Sequence, residues 1–236
     1  VQFVREIEEA IPALPGLTSV AFVSRLPLVN RGGNYSVWNP DAPPEPGARR
    51  PWADRRSVLP GYFQAMDIPV VEGRDLSEGD AEGAPPVAVL SRSSADQLFP
   101  AQSPLGRQVA MDLGGTEPLM LEVVGVVADH RTYSLDSATR PTIFLPYAQL
   151  PERRMSLTVA ASDPMSLARP LQARIRELDP DILLTDVRTM GDIVLASISS
   201  TRSMTTMLGL FALAAIALAA LGLYGVLAFF VAKRTH

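Results

Sequence analysis

One stretch limits the chain more than any other. From Met207 to Ala232, 26 successive residues carry no formal charge: MLGLFALAAIALAALGLYGVLAFFVA. As an α-helix rising 1.5 Å per residue, this run would be about 39 Å long. A hydrocarbon core of roughly 30 Å needs about 20 apolar residues to cross it. The run is therefore long enough to span a bilayer, with slight tilt or with its ends among the headgroups. A helix of this length buried in a protein core is expected to keep a polar face, and this one has none. Its C-terminal position excludes a secretory signal. The expectation is one transmembrane helix over residues 204–236, after a large region that is not membrane-embedded.

Charge sets an orientation for that helix. All 25 Asp and Glu precede it, as do 19 of the 21 basic residues, so residues 1–206 carry a formal net charge of -6. Lys233 and Arg234 follow it. Basic flanks stay on the cytoplasmic side of a membrane. This predicts a cytoplasmic C-terminus at Lys233 and Arg234, with residues 1–203 extracytoplasmic; Arg202 on the other flank pulls the opposite way. Val1 is not an initiator Met, and VQFVREIEEA is no targeting signal. A domain of this size needs one to cross a membrane. The chain is accordingly expected to be part of a longer protein.

Within the apolar run, Gly209, Ala212, Ala215, Ala219 and Gly222 recur at three- and four-residue steps. In lipid no hydrophobic force draws helices together, so close backbone approach over small residues does. The stripe predicts a helix that packs beside other transmembrane helices and not merely an Ala-rich anchor.

Searches for chemistry mostly exclude it. The chain has no Cys, which rules out thiolate metal sites, disulfides and Cys nucleophiles. It has two His, one of them the last residue, so a multi-His metal site is not expected. Lys233 is the only Lys, and no Gly-x-x-x-x-Gly-Lys-Ser/Thr occurs, so an ATP-driven process would need its ATPase from elsewhere. The mildly acidic balance argues against nucleic acid as a partner. His130 lies next to Asp129 and near Asp136, but no Gly-x-Ser-x-Gly accompanies it and a loop histidine is the expected reading. Asp75, Glu78, Asp80 and Glu82 lack EF-hand order and read as a solvated loop. Arg49, Arg50, Arg55 and Arg56 around Trp52 read as a solvated loop and strand edge, with a partner or anionic-ligand surface as the alternative. Asn34-Tyr35-Ser36 fits a glycosylation sequon too common to carry weight. No catalytic residue, cofactor or metal ligand is assigned.

Periodicity supplies the elements. Phe3, Val4, Ile7 and Ile11 recur at helical spacing over Val1–Leu14, and Pro15-Gly16 ends that helix. Strands are expected at 19–24, 35–38, 52–59, 68–71, 87–90, 142–145, 156–161 and 182–187. A hairpin is expected from 107–113 to 119–128 across Gly114-Gly115. Short helices are expected from Pro60 to Met66 and from a Ser91 or Ser93 cap to Phe99. A longer helix spans Pro164–Leu178, and another runs from Thr189 to Ser203 towards the membrane. The fold class is α+β: βαβ-like halves at about 1–24 and 155–190 form a base, and a β-rich subdomain at about 34–146 is inserted between them. Linkers fall near 25–34 and 147–155, and 190–203 is a stalk.

Several stretches carry a resemblance: VLPGYFQAMDIPVVEGRDLSEGD (58–80), SPLGRQV (103–109), LEVVGVVADHRTYSLDSATRPTIFLPYAQL (121–150), LDPDILLTDVRTM (178–190) and LGLFALAAIALAALGLYGVLAFFVAKRTH from Leu208 on. In this order and spacing the chain resembles the MacB-like periplasmic core domain followed by the start of an FtsX-like permease domain. The resemblance implies a membrane subunit of a type VII ABC transporter, with a porter-like base and an inserted β-rich subdomain. It also implies a cytoplasmic ABC ATPase subunit as partner, further permease helices or a second permease half, a periplasmic partner, and work by mechanotransmission. In such families the first permease helix continues past Arg-Thr towards the ATPase, whereas here the chain stops at Thr235-His236. The helix before the external domain and the last two are also absent, so this chain alone is not expected to transport. Two other readings compete. One is a single-pass anchored periplasmic sensor or adaptor. The other is an anchored hydrolase, disfavoured by the missing nucleophile-base pair.

Overall fold

The computed structural model describes residues 6–7, 16–26, 29, 33–45, 47–130, 139–180, 182, 185–195, 207, 209–216 and 218–223. Two units, Val1–Ile193 and Val194–His236, are each described by themselves.

The N-terminal unit is organised by strands β1 (Leu17–Val23), β2 (Gly33–Trp38), β3 (Trp52–Val58), β4 (Val70–Gly73), β5 (Val87–Ser91), β6 (Gln108–Met111), β7 (Leu119–Val127), β8 (Thr142–Pro146) and β9 (Ser156–Ala161). Among the described residues, helices α1 (Tyr62–Ala65), α2 (Arg92–Leu98) and α3 (Ala168–Leu178) accompany these strands, with further helical residues at 6–7 and 190–193. Strand pairing closes on itself in the order β2-β6-β7-β5-β8-β3 and back to β2. In this ring β3–β8 and β5–β7 are parallel and the other pairs antiparallel. Closure satisfies backbone groups that an open sheet would leave at its edges.

Alternation along the ring strands divides the apolar residues into two layers. Val37, Ala53, Leu90, Val109, Met111, Leu121, Ile143 and Leu145 form one buried cluster, joined by Ala95 and Leu98 of α2. Val58, Val89, Val127 and Phe144 form a second with Tyr62 and Phe63 of α1 and with Ile68 and Leu76. Phe63 and Phe144 meet edge to face at 4.9 Å, a favoured aromatic geometry. Because both faces are covered, every residue of β5 and of β8 is buried, and both read as short continuous runs with little alternation.

The edge of β7 is shared. β6 pairs with its first half, and β4 pairs with its end at Gly125–Val127. The chain leaving β4 crosses β7 so closely that a Cβ on Gly125 would lie 2.1 Å from the Arg74 carbonyl oxygen. A Cβ on Gly73, itself at φ +74, would lie 2.3 Å from the Val124 carbonyl oxygen. Only glycine fits either position.

The base pairs β1 antiparallel with β9. α3 lays Leu171 and Ile175, one helical turn apart, against Phe22, Leu59 and Tyr147. Ile7 is buried in the same cluster and is helical, as its periodicity predicts. β1 joins the ring at β3 through the register pair Val23↔Val58 and the flanking Ser24 and Leu59 N–H bonds, and its Ala21 and Val23 are buried in the second layer.

The hairpin forms as expected, from Gln108–Met111 to Leu119–Val127, with the Asp112 carboxylate accepting from the Gly114 N–H in its connection. Two expectations change. The strand expected at 182–187 is not formed by its described residues; Asp186 adopts φ 63, which breaks an extended run, and Val187 is exposed. The helix after Pro60 is one turn, Tyr62–Ala65, preceded by a left-handed Gly61. The helix from Thr189 is described only as far as residue 195, and 196–203 lie outside the described residues.

In the second unit residues 207, 209–216 and 218–223 are helical, and all are exposed. Among the described residues no helix is long and apolar enough to cross a membrane; Leu208, Ala217 and everything from Tyr224 on lie outside them.

Candidate functional site

Among the described residues, those singled out for chemistry do not assemble into a reaction centre. Asp129 and His130 face apart, as neighbours on an extended chain do. The Asp129 carboxylate accepts from the Ser93 N–H (3.0 Å) and Ser93 hydroxyl (2.9 Å) at the start of α2. The His130 ring instead packs on Phe144, with 5.5 Å between centroids. His130 lies in an irregular segment, as expected of a loop histidine, but its half-buried imidazole rests against Phe144 of the second apolar layer. Burial, then the positive charge of Arg56, lowers its pKa to about 4, against a smaller opposing pull from Asp129. It is neutral near pH 7. Asp136 lies outside the described residues.

The acidic loop is partly solvated and partly a folded knot. Glu78 and Glu82 are exposed. Asp80 is buried and receives two hydrogen bonds from the Arg74 guanidinium, both 2.8 Å, and one from the Ser77 N–H at 2.7 Å. Those bonds hold its carboxyl below the usual range, with the Arg74 bond the largest cause. Burial pushes Asp75 the other way. Among the described residues no three His, Asp or Glu side chains are grouped to hold a metal ion.

The arginine cluster is dispersed by β3. Arg49 is exposed. Arg50 lies over the Trp38 ring at 4.7 Å. Arg55 and Arg56 depart from the solvated reading, because alternation sends them to opposite faces of a strand covered on both sides. Arg55 pairs with Glu152 at 2.8 Å and lies over the Tyr35 ring. Arg56 is wholly buried and donates to the Arg25 carbonyl. Sequence reasoning missed two residues that organise this region. Arg140 stacks on Trp52 at 4.2 Å, donates to the Asn34 side-chain carbonyl and lies 4.0 Å from the buried Asp54 carboxylate. Glu152 receives Arg55 across 97 residues of chain, a separation that no local pattern reveals.

The stripe residues Gly209, Ala212, Ala215, Ala219 and Gly222 are all described, helical and exposed. A Cβ added at Gly209 or Gly222 would meet nothing within 4 Å among the described residues. Their large neighbours are equally uncovered: Phe211 is 73% exposed, Leu213 66% and Leu221 68%. Lys233 and Arg234 lie outside the described residues. Two features therefore stand out: a closed, two-layered β unit that shows no catalytic grouping among its described residues, and a helical run whose apolar side chains have no cover.

Comparison with known proteins identifies the first of these. Residues 3–178 match the MacB-like periplasmic core domain. The macrolide export ATP-binding/permease protein MacB of Marinobacter nauticus is 25% identical over 187 residues, covering 73% of this chain and 27% of that protein. The probable syringafactin export ATP-binding/permease protein SyfD of Pseudomonas syringae pv. tomato is 26% identical over 198 residues, covering 78% of this chain and 28% of that protein. The chain thus spans about a quarter of the length of the curated relatives it matches. The crystal structure of the periplasmic region of MacB from Actinobacillus actinomycetemcomitans aligns with a TM-score of 0.51 at 17% identity, over 74% of this chain and 73% of that one, which supports the mixed α/β fold. On the match over residues 3–178, the chain belongs to the MacB-like periplasmic core domain family.

Proposed function

We propose that the chain is the extracytoplasmic domain and first following span of an ABC exporter permease, and that it works by changing shape and not by covalent chemistry. One observation carries this reading: a family match over residues 3–178 is followed in the same chain by an apolar helical run whose side chains are uncovered. Apolar surface of that kind is stable in lipid and costly in water. In this reading residues 1–203 lie outside the cytoplasmic membrane, 204–236 cross it, and Lys233 and Arg234 anchor the cytoplasmic end. The base comprises about 1–24 and 155–190, the inserted β-rich subdomain about 34–146, and the stalk 190–203. The stripe from Gly209 to Gly222 packs against other permease helices or a second permease half.

The energy comes from an ABC ATPase, as a separate cytoplasmic subunit. The relatives are named as ATP-binding and permease proteins in one, so the same role is also open to another part of a longer chain. ATP-driven movement at the cytoplasmic face passes along the stalk to the external domain, which acts on an exported compound or a periplasmic partner. The names of the relatives point to export of small natural products as the substrate class.

The test is a Gly-Pro insertion between residues 195 and 200 of the intact permease, reconstituted with its ATPase. A bent stalk should leave assembly and ATP turnover in place and abolish export. Unchanged export would contradict the lever.

A further inference from the structure

Two connections join the ring to the base: one leaves β1 at Ser24–Arg25, and the other returns between β8 and β9 through Leu150–Glu152. β1 pairs with β3 at one register pair, flanked by backbone bonds from the Ser24 and Leu59 N–H groups, and buries Ala21 and Val23 beside Val58, Tyr62 and Phe63. Three consecutive residues of β3 add side-chain bonds to both connections. Arg56 donates to the Arg25 carbonyl on the outgoing connection. Arg55, on the opposite face, pairs with Glu152 on the returning connection at 2.8 Å, with side chains only 11% and 16% exposed. Ser57 serves both. Its N–H donates to the Ser24 hydroxyl at 2.9 Å, its carbonyl accepts from the Ser24 N–H at 2.9 Å, and its hydroxyl donates to the Leu150 carbonyl at 3.1 Å. The Glu152 carboxylate is a second acceptor for that hydroxyl at 3.3 Å.

We infer that Arg55-Arg56-Ser57 is a two-sided clamp that holds both connections to one strand, so that the inserted ring and the base turn as a single body and not about a hinge at residues 24–26 and 147–155. Charge-assisted bonds with little access to water resist opening more than exposed ones do. The arrangement explains why two arginines stand next to each other in a strand that is otherwise covered on both faces. It does not depend on the transport reading, because clamping is a property of the isolated chain.

Hydrogen–deuterium exchange of the full chain in detergent micelles tests it, followed peptide by peptide. In the parent chain, residues 24–26 and 147–155 should exchange nearly as slowly as β5 and β7. Glu152→Gln should accelerate exchange across 147–155 by roughly tenfold while β5 and β7 keep their rates. Ser57→Ala, a smaller change that keeps the fold if Glu152→Gln does not, should accelerate 147–155 and leave 24–26 slow, because Ser57 holds Ser24 through its own backbone, whereas Ser24→Ala, which removes the acceptor of the Ser57 N–H, should accelerate 24–26. The exchanged pair Arg55→Glu with Glu152→Arg should restore slow exchange at 147–155. Unchanged exchange at 147–155 in Glu152→Gln and Ser57→Ala, or at 24–26 in Ser24→Ala, would overturn the clamp. So would equal acceleration in β5 and β7, which would mean general loosening.

Discussion

The ring of β2, β6, β7, β5, β8 and β3 and the helical residues 207, 209–216 and 218–223 are both rich in apolar side chains, but they treat those side chains in opposite ways. In the ring, Val89, Leu90, Ile143 and Phe144 are sealed from solvent by a layer on each face. In the run, Leu210, Phe211, Leu213, Ile216, Leu218 and Leu221 are all more than 60% exposed. Apolar content alone therefore says little about solvent. What separates the regions is whether the chain brings its own cover. The ring does so by closure and by α1 and α2, whereas the run has to find its cover elsewhere, and lipid and neighbouring helices are what we propose.

The comparison can be broken from either side. The largest effect is expected at Gly125, where any side chain meets the Arg74 carbonyl. Gly125→Val should destabilise the ring by more than about 4 kcal/mol and leave little folded protein, read by circular dichroism and limited proteolysis. The apolar run should still partition to membranes. Leu221→Arg, close to the midpoint of the apolar run, attacks the other region. At the centre of a span it should cost about 3 kcal/mol of insertion, read as release from membranes at alkaline pH, with thermal unfolding of the N-terminal unit unchanged.

A third prediction sharpens what burial means in the ring. His130 has a folded-state pKa of about 4, while the unfolded chain takes up the proton near the ordinary value of 6.5. Its contribution is present above pH 6.5 and is lost as pH falls from 6.5 to 4, where the unfolded state binds more protons. The loss should approach about 3 kcal/mol. His130→Leu should remove that slope in urea unfolding between pH 4 and 7 and leave the Asp80 contribution, which is lost only as pH falls below the ordinary carboxylate value. The smallest effect is local. The Ser91 hydroxyl accepts from the Ser94 N–H at the start of α2 and from the Thr142 N–H of β8. Ser91→Ala should lower stability by about 1–2 kcal/mol without changing the fold.

Features decided within a few residues were legible in the sequence. The VAVLS run, its Ser91 cap and the helix that follows were expected where they are found. So were β9 and the Leu171/Ile175 face of α3. Long-range features were not. Nothing near Trp52–Val58 shows that β3 pairs with β2 on one side and runs parallel to β8 on the other, so closure of the ring was hidden. For the same reason the arginines were misread: Arg55 and Arg56 look solvated until the strand carrying them is seen to be covered on both faces. The expected strand at 182–187 had the right composition, but its described residues find no pairing and turn at Asp186. Of the candidate site, the small-residue stripe was plain from spacing, while Glu152 and Arg140 depend on contacts far along the chain.

This chain has no Cys, so once any cysteine elsewhere in the intact protein is replaced, single introduced thiols report their own position. The most direct test of the central claim places one at the exposed Ser162 and, separately, one at Thr235, in cells making the intact protein. A membrane-impermeant maleimide should label Ser162→Cys in intact spheroplasts and label Thr235→Cys only after lysis. Equal labelling of both before lysis would contradict a span between residues 204 and 236.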